Sequence, residues 1–292
     1  LIEQRGGTLR INTGAAPANG VIGDYYNGTF SCRAGVGIFH LASGVFDTGS
    51  HSLQLGEWSG ENGYSNGFAV ITLENDAQAV VNNEIRLANR NASPEAYVNL
   101  NGGVLTASYF QKGGNNTAGN AASAAIAFNG GVLRVANQGN TASSLVRTGA
   151  NNSPAQLNVY AGGAVIETPG ADGGTTLDQP LRAPAGLGVT SVTVTAPGTG
   201  YIAPPAVLFS GGNGSGATAI AEIDTATGTL TAIRVTSSGT WYTSAPTVTL
   251  RGGGGTAAAA SATVAPSASG GLTKLGTGLL NLAAASTYTG PT

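Results

Sequence analysis

The chain has 292 residues, 47 of them Gly and only 9% charged, and twelve basic against fourteen acidic residues leave a formal net charge of -2. Ordinary soluble domains carry about 25% charged residues; so weakly charged a chain, with no Lys/Arg cluster, argues against nucleic acid and anionic membrane surfaces as partners. Gly, Thr, Asn and Val are poor helix formers, which argues against a helical bundle, and a hydrophobic share of 41% in short spaced runs argues against disorder.

A single cysteine, Cys32, allows no intrachain disulfide and no Cys-x-x-Cys zinc site, and is read as a small buried hydrophobe. The sequence contains no Met and does not start with one, which fits a segment from which an initiator and signal peptide have been removed. No apolar run reaches the ~18 residues of a membrane span, so no membrane insertion is expected.

Along the chain a Gly-containing turn followed by an alternating strand recurs: "GGTLRIN" at 6–12, "SGVFDTG" at 43–49, "NGGVLTAS" at 101–108, "NGGVLRVA" at 129–136 and "AGGAVIET" at 161–168. The last three Gly-Gly pairs begin at 102, 130 and 162, steps of 28 and 32 residues, which is the period of solenoid coils. A strand with one apolar face, placed once per coil, buries that face only when the next coil stacks on it at about 4.8 Å. Asn and Gly suit corners that demand positive φ, and stacked Asn side chains are expected to form a ladder. Ordinary hairpin turns of a β-sandwich are the competing reading of "NGG". Residues 1–186 are thus expected to form a β-solenoid.

From Ser191 and Ala232 a different repeat begins, with a constant offset of 41: Tyr201 matches Tyr242, Pro205 matches Pro246, Val207 matches Val248, and Gly211-Gly212 match Gly252-Gly253. Each copy holds three short strands bounded by Gly or Pro, enough for a small β domain over 187–268 inserted into the solenoid. The chain is expected to return to the solenoid over 269–292.

That tail reads "GGLTKLGTGLLNLAAASTYTGPT" from Gly270. Its Gly271, Leu272, Thr273, Lys274, Gly276, Gly278, Leu280, Leu282, Thr287, Tyr288, Thr289, Gly290 and Thr292 resemble the autotransporter-associated β-strand repeat, or passenger-associated transport repeat, of large secreted bacterial surface proteins. The resemblance implies a right-handed parallel β-helix, an extracellular or cell-surface location and a structural or adhesive role. The chain shows neither the membrane barrel nor the signal peptide of such proteins. In that family T-Y-T-G-x-T runs into a further strand ending G-T-L, and "LIEQRGGTL" at 1–9 resembles that continuation.

The end of one copy is therefore expected to be completed by the beginning of another, with Leu1, Ile2 and Leu9 meeting Tyr288, Thr289, Gly290, Pro291 and Thr292. An uncapped solenoid exposes unpaired N–H and C=O groups, and a head-to-tail contact that does not close propagates as a filament. The expected function is a repeating subunit of an extracellular fibre whose partners are copies of itself. One continuous polypeptide with tandem copies is the competing account.

Chemistry is sparse. Glycoside cleavage needs two carboxylates about 5–10 Å apart, and the pairs on offer are Glu57 with Glu61 and Glu74 with Asp76. Both read as surface acids. His40 and His51, the only histidines, have no nucleophile motif beside them and no His-x-x-x-His metal spacing. Asp172 and Asp178 lie in a Gly-rich turn without a calcium-binding repeat. No catalytic residue, cofactor or metal is therefore assigned. The remaining lead is aromatic: Trp58, Tyr64, Trp241 and Tyr242 as contacts for glycan in an adhesive module, against the reading that Tyr201 and Tyr242 recur because they are core.

Overall fold

The computed structural model describes residues 2–10, 29–33, 36–49, 52–57, 68–89, 95–112, 123–136, 143–148, 155–170 and 174–292. Among the described residues there are twenty-four strands and no helix, so the protein is all-β. Cα packing divides it into two compact units, Ile2–Ala183 with Ser269–Thr292, and Pro184–Ala268.

The larger unit is built on a fifteen-stranded sheet whose ladders are parallel throughout, joined by a smaller three-stranded parallel sheet. Its strands fall into rows. In the first row, Phe39, Ile71, Val98, Ile126, Leu157 and Leu181 are successive register partners, at sequence steps of 32, 27, 28, 31 and 24 residues. A second row aligns Phe46, Ala79, Leu105, Leu133 and Ile166, and a third aligns Leu53, Ile85, Phe110 and Val146.

All of these side chains are buried and share one core. Each buried Leu, Ile or Phe contributes about 1.5–3 kcal/mol, so the aligned apolar columns dominate cohesion. Parallel strands covered on both faces read as continuous apolar runs rather than alternating ones. Phe68–Leu73, "FAVITL", is such a run: Ile71 and Leu73 join the core while Val70 and Thr72 are also buried on the opposite face. On that face Asn99 donates from Nδ2 to Thr72 Oγ1 at 3.0 Å, which satisfies two buried polar groups across adjacent strands.

The corner between the first and second rows is tight, with Leu100 followed four residues on by Val104, and Phe128 by Val132. A Cβ on Gly102 would lie 2.6 Å from Asn75 N, and one on Gly131 2.6 Å from Gly102 O, so glycine is required there by the approach of the neighbouring corner. Gly103 has φ +64° in addition, the left-handed region open to glycine. The expected Asn ladder takes another form. Asn75 Nδ2 donates to Ala42 O at 3.0 Å, and Asn129 Oδ1 accepts from Gly162 N–H at 2.9 Å. These two Asn side chains bond the backbone of an adjacent corner, whose C=O or N–H lies within reach.

The unit Pro184–Ala268 is a six-stranded antiparallel sheet. Its order is Thr247–Arg251, Ala206–Ser210, Ser215–Asp224, Thr229–Thr240, Leu187–Thr199, Thr256–Pro266. The 41-residue offset has a geometric counterpart, a pseudo-twofold axis. Val192 pairs with Ile233 and Leu208 with Thr249, each residue facing its own counterpart in the other copy. Away from the axis Ala217↔Ser238 is mirrored by Ala258↔Pro197, and Ala221↔Ile233 by Ala262↔Val192. Each copy completes the sheet of the other.

Candidate assembly interface

The tail motif is laid onto the parallel rows strand by strand. Leu272–Leu275 pairs with Ala164–Glu167, and Leu280–Leu282 pairs with Thr175–Leu177. Thr287 N–H then donates to Leu181 O at 2.8 Å, extending the first row by one more layer. Gly290 N–H donates to Gly270 O at 3.0 Å and Leu272 N–H to Pro291 O at 2.9 Å, which stacks one last glycine corner on the previous one. A Cβ on Gly276 or Gly278 would run into the carbonyls of Thr168 and Pro169, so the Gly-x-Gly of the motif is what lets this layer sit down.

The resulting end is apolar and incompletely covered. Leu282 occupies the same ladder position as Leu177, yet it is 37% exposed where Leu177 is 1% exposed. In the same tail Leu279 is 68% and Leu275 40% exposed. Among the described residues Leu280–Leu282 is paired along one edge only. At the other end of the first row, Ile2–Arg10 pairs in parallel with Val36–Asp47, Ile2 opposite Phe39 and Leu9 opposite Phe46. The strand Ile2–Arg10 and the tail segment at Thr287 thus stand at opposite ends of one row.

Of the residues expected at the interface, Tyr288 packs partly against the core and its hydroxyl lies 2.6 Å from Thr292 Oγ1, while Thr289, Gly290 and Pro291 hold the final corner. Leu1 lies outside the described residues. So do Trp58, Tyr64, Glu61, His51 and Asp172. Tyr242 needs correction as a glycan contact: it is buried, with its ring against Gly214, as the ring of Tyr201 is against Gly255. A ring so enclosed offers no face to a sugar. Trp241, by contrast, is 50% exposed.

Of the acids read as lying at the surface, Glu74 and Asp76 have different surroundings. Glu74 Oε2 lies 2.9 Å from buried His40 Nε2, whereas Asp76 is exposed in the turn that follows. Glu57 ends a strand opposite Asn89 and Arg33. Asp178 accepts from Ser144 Oγ at 2.7 Å, and Cys32 lies in the strand Thr29–Arg33. Among the described residues no three His, Cys, Asp or Glu side chains are grouped to hold a metal.

One polar cluster escaped the sequence. Buried Glu84 is ion-paired with Arg86 and sits opposite Tyr109, and the Arg147 guanidinium lies 3.5 Å over the Tyr109 ring. Burial, with Glu84 beside it, pushes the Tyr109 hydroxyl above its ordinary value, so it stays protonated. The signal was available only as equal parity on stacked strands, since Glu84, Tyr109 and Arg147 are far apart in sequence. A cation over a ring is worth about 0.5–1 kcal/mol at such a site, so the cluster clamps adjacent strands together.

No protein-family model, curated protein or solved structure matches the chain.

Proposed function

We propose that the stacked rows are the coils of a right-handed parallel β-helix, and that the protein is a structural subunit of an extracellular bacterial surface fibre, assembled head to tail by strand pairing. Steps of 24–32 residues between register partners are coil-sized, and parallel crossovers within a sheet are right-handed in about 98% of cases. The autotransporter-associated character of the tail points to secretion and a surface location, with no enzymatic role.

A single comparison carries the assembly reading: Leu282 and Leu177 share one ladder position, and the exposure of Leu282 is that of a residue awaiting another layer. Long unpaired apolar edges recruit further strands. In this reading the occupant is the Ile2–Arg10 strand of a further copy, on a separate or the same polypeptide, because that strand belongs to the opposite end of the same row as the tail. A contact joining two different ends does not close on itself and grows linearly.

Electron microscopy of purified protein, followed by gel electrophoresis after harsh denaturation, tests this reading. Filaments that collapse to a band at the monomer mass of 28.6 kDa, and that Leu279→Asp with Leu282→Asp abolishes, are the expected result. Dispersed particles at every concentration would sink the fibre. A ladder of covalent multiples would replace non-covalent joining with tandem copies on one polypeptide.

A further inference from the structure

The pseudo-twofold unit is regular enough that its exceptions stand out. Gly200 and Trp241 occupy equivalent positions, and their backbones agree: φ is +78° at Gly200 and +68° at Trp241. The first copy meets this left-handed corner with glycine, which adopts it freely, while the second places there a bulky side chain, for which the conformation is a steric outlier. Retained strain of this kind persists where surrounding structure enforces it, and it marks sites of function. Tyr201 and Tyr242, the next residue in each copy, are both buried core rings, so the corner itself needs no second aromatic for packing.

The indole is held on a fixed base. Trp241 N–H donates to Ala185 O at 2.7 Å, and Leu187 and Tyr242 exchange backbone bonds of 2.9 and 3.1 Å. A Cβ on Gly186 would fall 2.9 Å from Trp241 Cα, so the chain beneath is packed against the corner. Around it the surface is uncharged: Thr243, Ser244 and Asn213 are exposed, and Asn213 Nδ2 donates to Thr243 Oγ1 at 3.0 Å. The segments 184–187, 211–214 and 241–246 contain no Asp, Glu, Lys, Arg or His.

We infer that Trp241 is a saccharide-stacking platform: a half-exposed indole on a rigid corner, followed in the chain by exposed Thr243 and Ser244, that takes a neutral sugar ring. A rigid aromatic gives large contact area at small entropic cost. A protein-binding hot spot would instead sit at the centre of a well-packed, desolvated patch, and the neighbours here are small and polar. Absence of charge at the corner selects neutral glycans over uronic or sulfated ones. The inference is independent of fibre assembly.

Trp58 and Trp241 are the only tryptophans, so Trp58→Phe leaves Trp241 as the sole source of tryptophan emission in the full chain. Cellohexaose, chitohexaose and maltohexaose are titrated against its emission. At least one should give a saturable shift with Kd of about 1 mM or tighter, and adding Trp241→Gly should remove the binding, followed by calorimetry. The glycine variant installs the residue found at the equivalent position, and its melting temperature should stay level or rise by about 4 °C. No response from any of the three sugars up to about 10 mM overturns the inference. So does a large fall in melting temperature, which would make Trp241 structural. Association between copies that Trp241→Gly abolishes without any sugar response would reassign the indole to a protein contact.

Discussion

At the scale of single residues, the corner glycines and the few buried charges offer the sharpest tests. Gly103 combines φ +64° with a neighbouring carbonyl, Ala77 O, that a Cβ would strike. Gly103→Ala should therefore cost about 3 kcal/mol or more in urea denaturation, well above an ordinary surface change. Glu95 accepts from Tyr97 Oη–H at 2.9 Å, but burial outweighs this bond and raises its carboxyl above the ordinary value. Folded Glu95 thus holds its proton more tightly than unfolded Glu95, and its contribution is present at low pH and lost as pH rises through the folded value. Lys112 is the opposite case. Burial lowers its ammonium, so the unfolded chain binds the proton better and stability rises with pH toward the ordinary lysine value. Glu95→Gln should flatten the acid limb and Lys112→Met the alkaline limb of stability measured between about pH 4 and pH 10.

At the scale of elements, stability resides in columns. Ile126 sits mid-column between Val98 and Leu157 and is fully buried. Ile126→Ala should cost about 2–5 kcal/mol, because a layer held above and below collapses poorly around a cavity. The columns were partly legible in sequence, since "NGGVL" at 101–105 and "NGGVLRV" at 129–135 display both the corner glycines and the alternating strand that follows. First-row strands such as "FAVITL" were not, because burial on both faces erases the alternation that marks a strand. The 41-residue offset announced a duplication, but not that Val192 would face Ile233 across an axis. Pairing between copies is decided by three-dimensional closure, which no local pattern encodes. The tail motif made the candidate interface visible through its glycines and leucines. The strained Trp241 corner was hidden, because a residue's φ is not written in its neighbours.

At the scale of the whole molecule, the path from Ala183 to Ser269 is interrupted by the smaller unit, yet the layer above bridges the gap. Ala183 N–H donates to Thr287 Oγ1 at 3.2 Å, and Thr289 N–H donates to Ser269 Oγ at 3.4 Å. Two residues of extended chain span about 7 Å, so the two edges of the gap lie close together. Replacing Pro184–Ala268 by a linker of about two residues should leave a folded parallel stack, with circular dichroism of strand type and a single cooperative melt. Loss of folding would mean that the smaller unit is needed to close the layer. Cohesion in the stack is apolar and backbone-borne, with charged residues only 9% of the chain. Raising NaCl to about 1 M should therefore shift its melting temperature little.

The glycine corner is short beside the paths that return from it. From Leu100 to Val104 and from Phe128 to Val132 the count is four, whereas the return paths from Val104 to Phe128 and from Val132 to Val159 take 24 and 27 residues. Codons can thus be added to or lost from the outlying loops without shifting the frame of the strands. The corner tolerates smaller changes too: it takes five residues from Leu73 to Gln78 and six from Val159 to Val165, yet Ala79 and Ile166 beyond them point inward like Leu105 and Leu133.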